Sequence, residues 1–175
     1  MKKSEALSVS IGALAVVDTY LTATLVIVPV WVTFIAWASY FAVGGGGRKG
    51  FMQSIACNLT GIAIASLTLL VIALASLGTL ASAVAVGVGS AAMVQASKLR
   101  LLSLTPAIVW GFASTVGTSV ATGVPITSLT WTNPMLVAAL GMLLGDAFGL
   151  ASEVLGSSLE KSRRPDIVGG TAPTG

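Results

Sequence analysis

Histidine is absent from this 175-residue chain, cysteine occurs once, and charged residues make up only 9% of it. The first two absences remove imidazole and thiolate ligand sets and any disulfide framework. They leave no nucleophile–base pair, metal cluster or cofactor motif to assemble, so neither catalysis nor a bound cofactor or metal is expected. Cys57 reads as a small apolar packing residue. The scarcity of charge excludes a soluble balance, which needs about 25% charged residues. What is present instead is 55% hydrophobic residues and a mean hydropathy of +0.96, the composition of an integral membrane protein.

The few charges are ordered. All nine lysines and arginines fall in four clusters, Lys2/Lys3, Arg48/Lys49, Lys98/Arg100 and Lys161/Arg163/Arg164. If each interval between clusters is a pair of helices running down and back, all four clusters share one face, which the positive-inside rule makes cytoplasmic. Six spans with both termini inside follow. The isoelectric point of 9.4 then reflects headgroup contacts and orientation, not nucleic acid. No basic stretch is interleaved with aromatics as a nucleic-acid surface requires. Lys2-Lys3 and the apolar run from Ala6 have the outline of a secretory signal, but the run passes Asp18 without a clear small-residue cleavage site. It is read as the first span.

A spanning helix needs about 20 apolar residues. Turns and charges then predict helices near 6–27, 29–43, 50–73, 76–97, 104–122 and 133–155. Pro29 separates the first two, Gly44 to Gly47 end the second, and Asn133-Pro134 is a helix-start signal for the last. The polar stretch 161–175 is expected to be a disordered cytoplasmic tail. Ala38-Ser39 in the second helix matches Ala113-Ser114 in the fifth at an offset of 75, and Gly61 with Ala63 matches Gly145 with Ala147 at 84. Two readings stay open. One is a pair of inverted three-helix repeats, as in many transporters; the other is chance recurrence in glycine- and alanine-rich helices.

The run Trp31 to Gly61, WVTFIAWASYFAVGGGGRKGFMQSIACNLTG, has an aromatic helix ending in Tyr-Phe, a glycine turn with Lys-Gly, then a helix bearing Ser and Gly. It resembles the signature of the YcdZ-like family of small bacterial inner-membrane proteins, a domain of unknown function. Gln95 to Leu102 (QASKLRLL), Pro106 to Ser114 (PAIVWGFAS) and Leu140 to Gly149 (LGMLLGDAFG) are similar as well. The resemblance implies a bacterial cytoplasmic (inner) membrane location and multi-pass topology. It lends no activity, substrate or catalytic residue, and acids at Asp18 and Asp146 are not a general feature of the pattern.

Two aspartates fall near helix centres, Asp18 in the first and Asp146 in the sixth. Each costs about 2.5–3.5 kcal/mol there on insertion scales, so each should face the bundle interior or a wet cavity. With no basic residue within a span, hydroxyls such as Thr22, Thr60 or Ser152 are the expected partners. The functional reading is a proton or cation site; the structural one is a neutral carboxyl tying helices together. Glu153 reads as a plain interfacial glutamate. Asn58 supplies an amide at mid-membrane. Gly141, Gly145 and Gly149 form a small-residue stripe at i, i+4 and i+8, suited to close helix approach. Trp37 and Tyr40, with Trp110 and Phe112, line a narrow pathway on one reading and pack on lipid or neighbouring helices on the other. Trp31 and Trp131 are expected as interface anchors.

The expected function is a channel or transporter for a small polar or neutral solute. The alternative is a non-transporting membrane scaffold or interaction protein. The partners expected are the lipid bilayer, a small solute and further copies of the chain, with glycine and alanine faces favouring a homo-oligomer.

Overall fold

Proline and glycine set the helix limits. Pro29 precedes α2 (Val30–Ala42), Pro106 lies in the first turn of α5 (Thr105–Thr122), and Pro134 opens α6 (Pro134–Lys161), all places where a missing N–H costs nothing. The remaining helices are α1 (Lys3–Thr24), α3 (Arg48–Leu74) and α4 (Thr79–Ala96), with a 3-10 turn at Arg100–Leu102. The computed structural model describes residues 2–161, so the expected tail from residue 162 and its arginines lie outside the described residues. α5 stops at Gly123, whose φ of +67° gives the left-handed cap. Asn133 shapes the start of α6: its Oδ1 accepts the Met135 N–H at 2.8 Å, while its Nδ2 donates to the carbonyls of Ile126 and Ser128.

Among the described residues six α-helices form, but they are not six equal spans. Among the described residues, α1, α3, α4 and α6 are long and apolar enough to cross a membrane. α2 has 13 residues, about 20 Å of helix at 1.5 Å per residue, short of the roughly 30 Å hydrocarbon. α5 has 18 residues, but Thr105, Ser114, Thr115, Thr118 and Ser119 dilute its apolar character. Length and composition thus show four candidate spans, fewer than the six expected. The two weaker helices are also heavily enclosed: α2 buries Val32, Thr33, Ala36, Trp37, Ser39 and Tyr40, whereas α4 buries only Gly89 and Met93. Polar side chains are tolerable on α2 and α5 because neighbouring helices, not lipid, surround them.

The main packing pairs are α3 with α5 and α2 with α6. Both rest on close glycine contacts. Gly61 lies on the carbonyl of Ile108, Gly111 on that of Asn58, and Gly145 on that of Thr33, so that a Cβ at any of the three would overlap backbone. An apolar cluster of Val28, Val32, Ala36, Ile62, Ala138 and Met142 fills the space around α2 and α6. A second, of Cys57, Ala65, Met93, Ala107, Ile108 and Phe112, fills that around α3 and α5.

The pairings repeat. α3 packs on α5 as α6 packs on α2, and α4 lies on α3 as α1 lies on α6. Individual contacts follow the same rule: an offset of 75 (Thr33 to Ile108) and one of 84 (Gly61 to Gly145) carry the Gly61–Ile108 contact onto Gly145–Thr33. On the periphery, Ser10 donates to the Ser152 carbonyl at 2.8 Å, and Gly89 meets the Thr68 hydroxyl. Ser152 lies 84 residues after Thr68, and Gly89 lies 79 after Ser10.

The basic turns gather at one end. Gln53 of α3 donates to Ser103 of the α4–α5 link at 3.1 Å, and Lys3, Gly44, Gly45 and Glu160 line one cavity there. At the opposite end the α5–α6 loop, through Ile126 to Trp131, lies beside Leu67, Leu70 and Met135.

Candidate functional site: a buried polar ring

Gly145 lets α6 press onto α2, and the next residue, Asp146, is thereby held in the interior facing α3. Ser54 and Asn58 are four apart on α3 and so present their side chains on one helix face. Ser54 Oγ lies 2.6 Å from Asp146 Oδ1, and Asn58 Nδ2 donates to Asp146 Oδ2 at 3.1 Å. Ser39 of α2 completes the set: its Oγ is 2.8 Å from Ser54 Oγ and 3.1 Å from Asn58 Oδ1. Asp146, Ser54, Asn58 and Ser39 thus form a closed ring drawn from α2, α3 and α6. All four are fully buried. No basic residue stands between Lys49 and Lys98 or between Arg100 and Lys161, so nothing cationic in the spans offsets the carboxyl.

Asp18 is held separately. Thr33 Oγ1 lies 2.5 Å from its Oδ2, tying α1 to α2, and its Oδ1 has no partner. The hydroxyls expected to hold these aspartates do something else. Thr22, Thr60 and Ser152 donate to carbonyls of their own helices, those of Asp18, Ala56 and Phe148. A threonine or serine in a helix satisfies itself this way whenever the carbonyl four residues back is within reach. The acids accordingly find partners on other helices.

Glu153 is not a plain interfacial glutamate. The four residues Gly44 to Gly47 have φ of +98°, +60°, +87° and +65°, a conformation that only glycine adopts freely. Consecutive backbone N–H groups in such a turn point together and make an anion-binding concavity. Glu153 of α6 fills it: the amides of Gly46 and Gly47 donate to its carboxylate at 3.1 Å, and the Tyr40 hydroxyl donates to it as well. This latch closes the basic end of the bundle beneath the ring. A cavity of about 220 Å³ lined by Lys3, Leu7, Phe41, Gly44, Gly45, Glu153 and Gly156 opens beside it. Removing the carboxylate in Glu153→Ala should raise hydrogen exchange at the Gly46 and Gly47 amides about tenfold, the equivalent of a charge-assisted hydrogen bond worth about 1.4 kcal/mol. Unchanged exchange would show that the turn holds itself.

The aromatic candidates are dispersed. Trp37 stacks on Phe148 at 5.5 Å and its Nε1 has no partner, Tyr40 serves the latch, and Trp110 packs beside the α3–α5 cluster. None of the three lines the surface cavities described here. Trp31 lies over Gly117, partly buried, unlike Trp131, which is 88% exposed. The glycine stripe of α6 lies along α2: Gly141 against Val28 and Val32, Gly145 against Thr33 and Ala36, Gly149 against Tyr40. In the sequence Asp146 and Asn58 stand out separately, and Ser39 and Ser54 do not stand out as site residues. The i, i+4 spacing of Ser54 and Asn58 was the signal that joined them.

Four long apolar helices around a core that buries two carboxylic acids define a helical membrane protein. The chain belongs to the DUF1097 family, proteins of unknown function, whose family model matches residues 8–157. No match is found among curated proteins or among solved structures.

Proposed function

We propose that this chain is a multi-pass carrier of the bacterial cytoplasmic membrane, of the YcdZ-like kind. Its six helices form two inverted halves, both termini face the cytoplasm, and it moves a small polar or neutral solute. The observation that carries this reading is the position of the polar ring. Ser39, Ser54 and Asn58 belong to the first three helices and Asp146 to the last three, so the ring bridges the halves. Carriers built from inverted repeats bind their solutes at that junction, and short or interrupted helices in corresponding positions, here α2 and α5, mark it.

The paired contacts of the fold support the repeat, and one asymmetry distinguishes its halves. At the offsets of 75 and 84, Ser39, Ser54, Asn58 and Asp146 correspond to Ser114, Ala138, Met142 and Ile62. The last three of these lie in the apolar cluster around α2 and α6. One side of the junction is therefore polar and the other is an apolar plug, with the Glu153 latch at the basic end: an occluded state. The interior also holds hydrogen-bonding capacity without a protein partner, at Trp37 Nε1, Ser114 Oγ, Thr118 Oγ1 and Asp18 Oδ1. Buried groups of this kind are uncommon and call for an explanation, which a polar solute or its water supplies.

A scaffold role is the second reading. It is favoured by the ring being satisfied within the chain and by α4, whose exposed face with Gly87 is open to a second copy or to lipid. Neither reading makes the protein an enzyme. Flux into proteoliposomes separates them, comparing small neutral solutes, protons and monovalent ions. Selective flux that falls at least tenfold in Trp37→Ala and Asp146→Asn supports the carrier. No flux of any of them through folded protein leaves the scaffold.

A further inference from the structure

Counting hydrogens in the ring gives its charge. Its four contacts, Asp146–Ser54, Ser54–Ser39, Ser39–Asn58 and Asn58–Asp146, lie between 2.6 and 3.1 Å, and each needs one hydrogen between its two heavy atoms. Ser39 and Ser54 bring one hydroxyl hydrogen each. Asn58 brings one to these four, because its amide turns nitrogen to Asp146 and oxygen to Ser39; its second amide hydrogen faces Ser54 Oγ at 3.5 Å and serves none of them. An ionised Asp146 brings none, leaving three hydrogens for four contacts and one oxygen pair in contact without a proton. A protonated Asp146 supplies the fourth: it donates to Ser54, Ser54 to Ser39, Ser39 to Asn58, and Asn58 back to Asp146. Turning the Asn58 amide over reverses the direction of the cycle and still requires the proton.

We infer that the ring is a proton-binding site, that Asp146 carries its proton in this closed state, and that the proton is the ion the carrier couples to its solute. The coupling rests on the carrier reading; the bound proton does not. Release breaks the Asp146 O–H bond and passes the proton to water on whichever side the bundle has opened, with nothing oxidised or reduced. Ser54 and Asn58 then donate to the two carboxylate oxygens, Ser39 donates to Asn58, and the Ser39–Ser54 contact is left without a hydrogen. Deprotonation therefore loosens α2 from α3, the seam between a short central helix and its neighbour. The other titratable groups around Asp146 are few. α3 brings Cys57, α2 brings Tyr40, already committed to Glu153, and α1 brings Asp18, held by Thr33. α5 has none.

The test is infrared spectroscopy of the full-length Asp18→Asn protein in lipid at neutral pH, in H₂O and D₂O, with and without Asp146→Asn. Asparagine can donate to Ser54 and accept from Asn58, so it preserves the ring and the fold. The expected result is a protonated-carboxyl carbonyl band, shifted by deuterium, that is lost with Asp146→Asn. Identical spectra with and without Asp146 overturn the inference. If the Asp146→Asn protein does not fold, Ser39→Ala takes its place: opening the ring must move the band, and an unmoved band overturns the inference equally. Because the band is read without any solute, it stands or falls independently of the flux experiment.

Discussion

Leucine at Gly61 or at Gly145 should all but abolish folded protein, whereas leucine at Gly87 or Gly12 should leave it nearly unchanged. Even a Cβ at Gly61 would overlap the Ile108 carbonyl, and one at Gly145 the Thr33 carbonyl, while nothing stands within 4 Å of the same atom at Gly12 or Gly87. Backbone cannot step aside as a side-chain tip can, so the helix pair must separate. Overpacking a well-filled core costs about 1–3 kcal/mol where side chains can adjust; a backbone clash that parts a whole helix interface costs a large share of what folding supplies. In a protein with a total stability of about 5–15 kcal/mol that is decisive. Detergent-extracted yield and size-exclusion profile read it directly. A monodisperse Gly145→Leu protein at normal yield would mean that α2 and α6 do not pack as described.

The second large effect separates Asn58 from Asp146. Asn58→Leu removes the donor to Asp146 Oδ2 and the acceptor facing Ser39 at once. Interhelical hydrogen bonds in membranes average only about 0.6 kcal/mol in double-mutant tests, which predicts a small loss. A buried polar group left without a partner costs more, about 1–3 kcal/mol, and here two are left. The second term dominates, because the ring is fully buried and no water-filled cavity described here reaches it. Asp146→Asn, which keeps every contact of the ring, should stay within about 1 kcal/mol of the parent. Thermal unfolding in one detergent compares the two. An Asp146→Asn loss as large as that of Asn58→Leu would mean that the four residues do not act as a closed cycle.

Composition and punctuation made much of the fold legible. Pro29, the run Gly44 to Gly47, Gly123 and Asn133-Pro134 act locally, so they mark helix ends whatever surrounds them. What local signals do not carry is depth. α2 and α5 looked like spans because they are apolar, but their length and hydroxyl content suit enclosure by other helices better than contact with lipid. The candidate site was legible in part. Asp146 and Asn58 stood out as expensive residues, but Asp146 lies 92 and 88 residues from Ser54 and Asn58 in the chain, and only the packing of α6 on α2 and α3 brings them to hydrogen-bonding distance. Glu153 was misjudged for the same reason. Its N–H partners lie in a turn whose anion-binding shape comes from four successive left-handed glycines, and nothing in the letters says which acid will reach it.

Everything proposed for the junction depends on the two halves entering the membrane from opposite sides. Single cysteines in a Cys57→Ala background test that directly, at Lys49 and Lys98 beside the basic turns and at Thr79 and Thr127 at the far ends, all exposed. A membrane-impermeant maleimide applied to intact cells should modify Thr79→Cys and Thr127→Cys, and should reach Lys49→Cys and Lys98→Cys only after the membrane is opened. Labelling of Lys49→Cys and Thr79→Cys from the same side would contradict the inverted halves, and with them the placement of the ring at their junction.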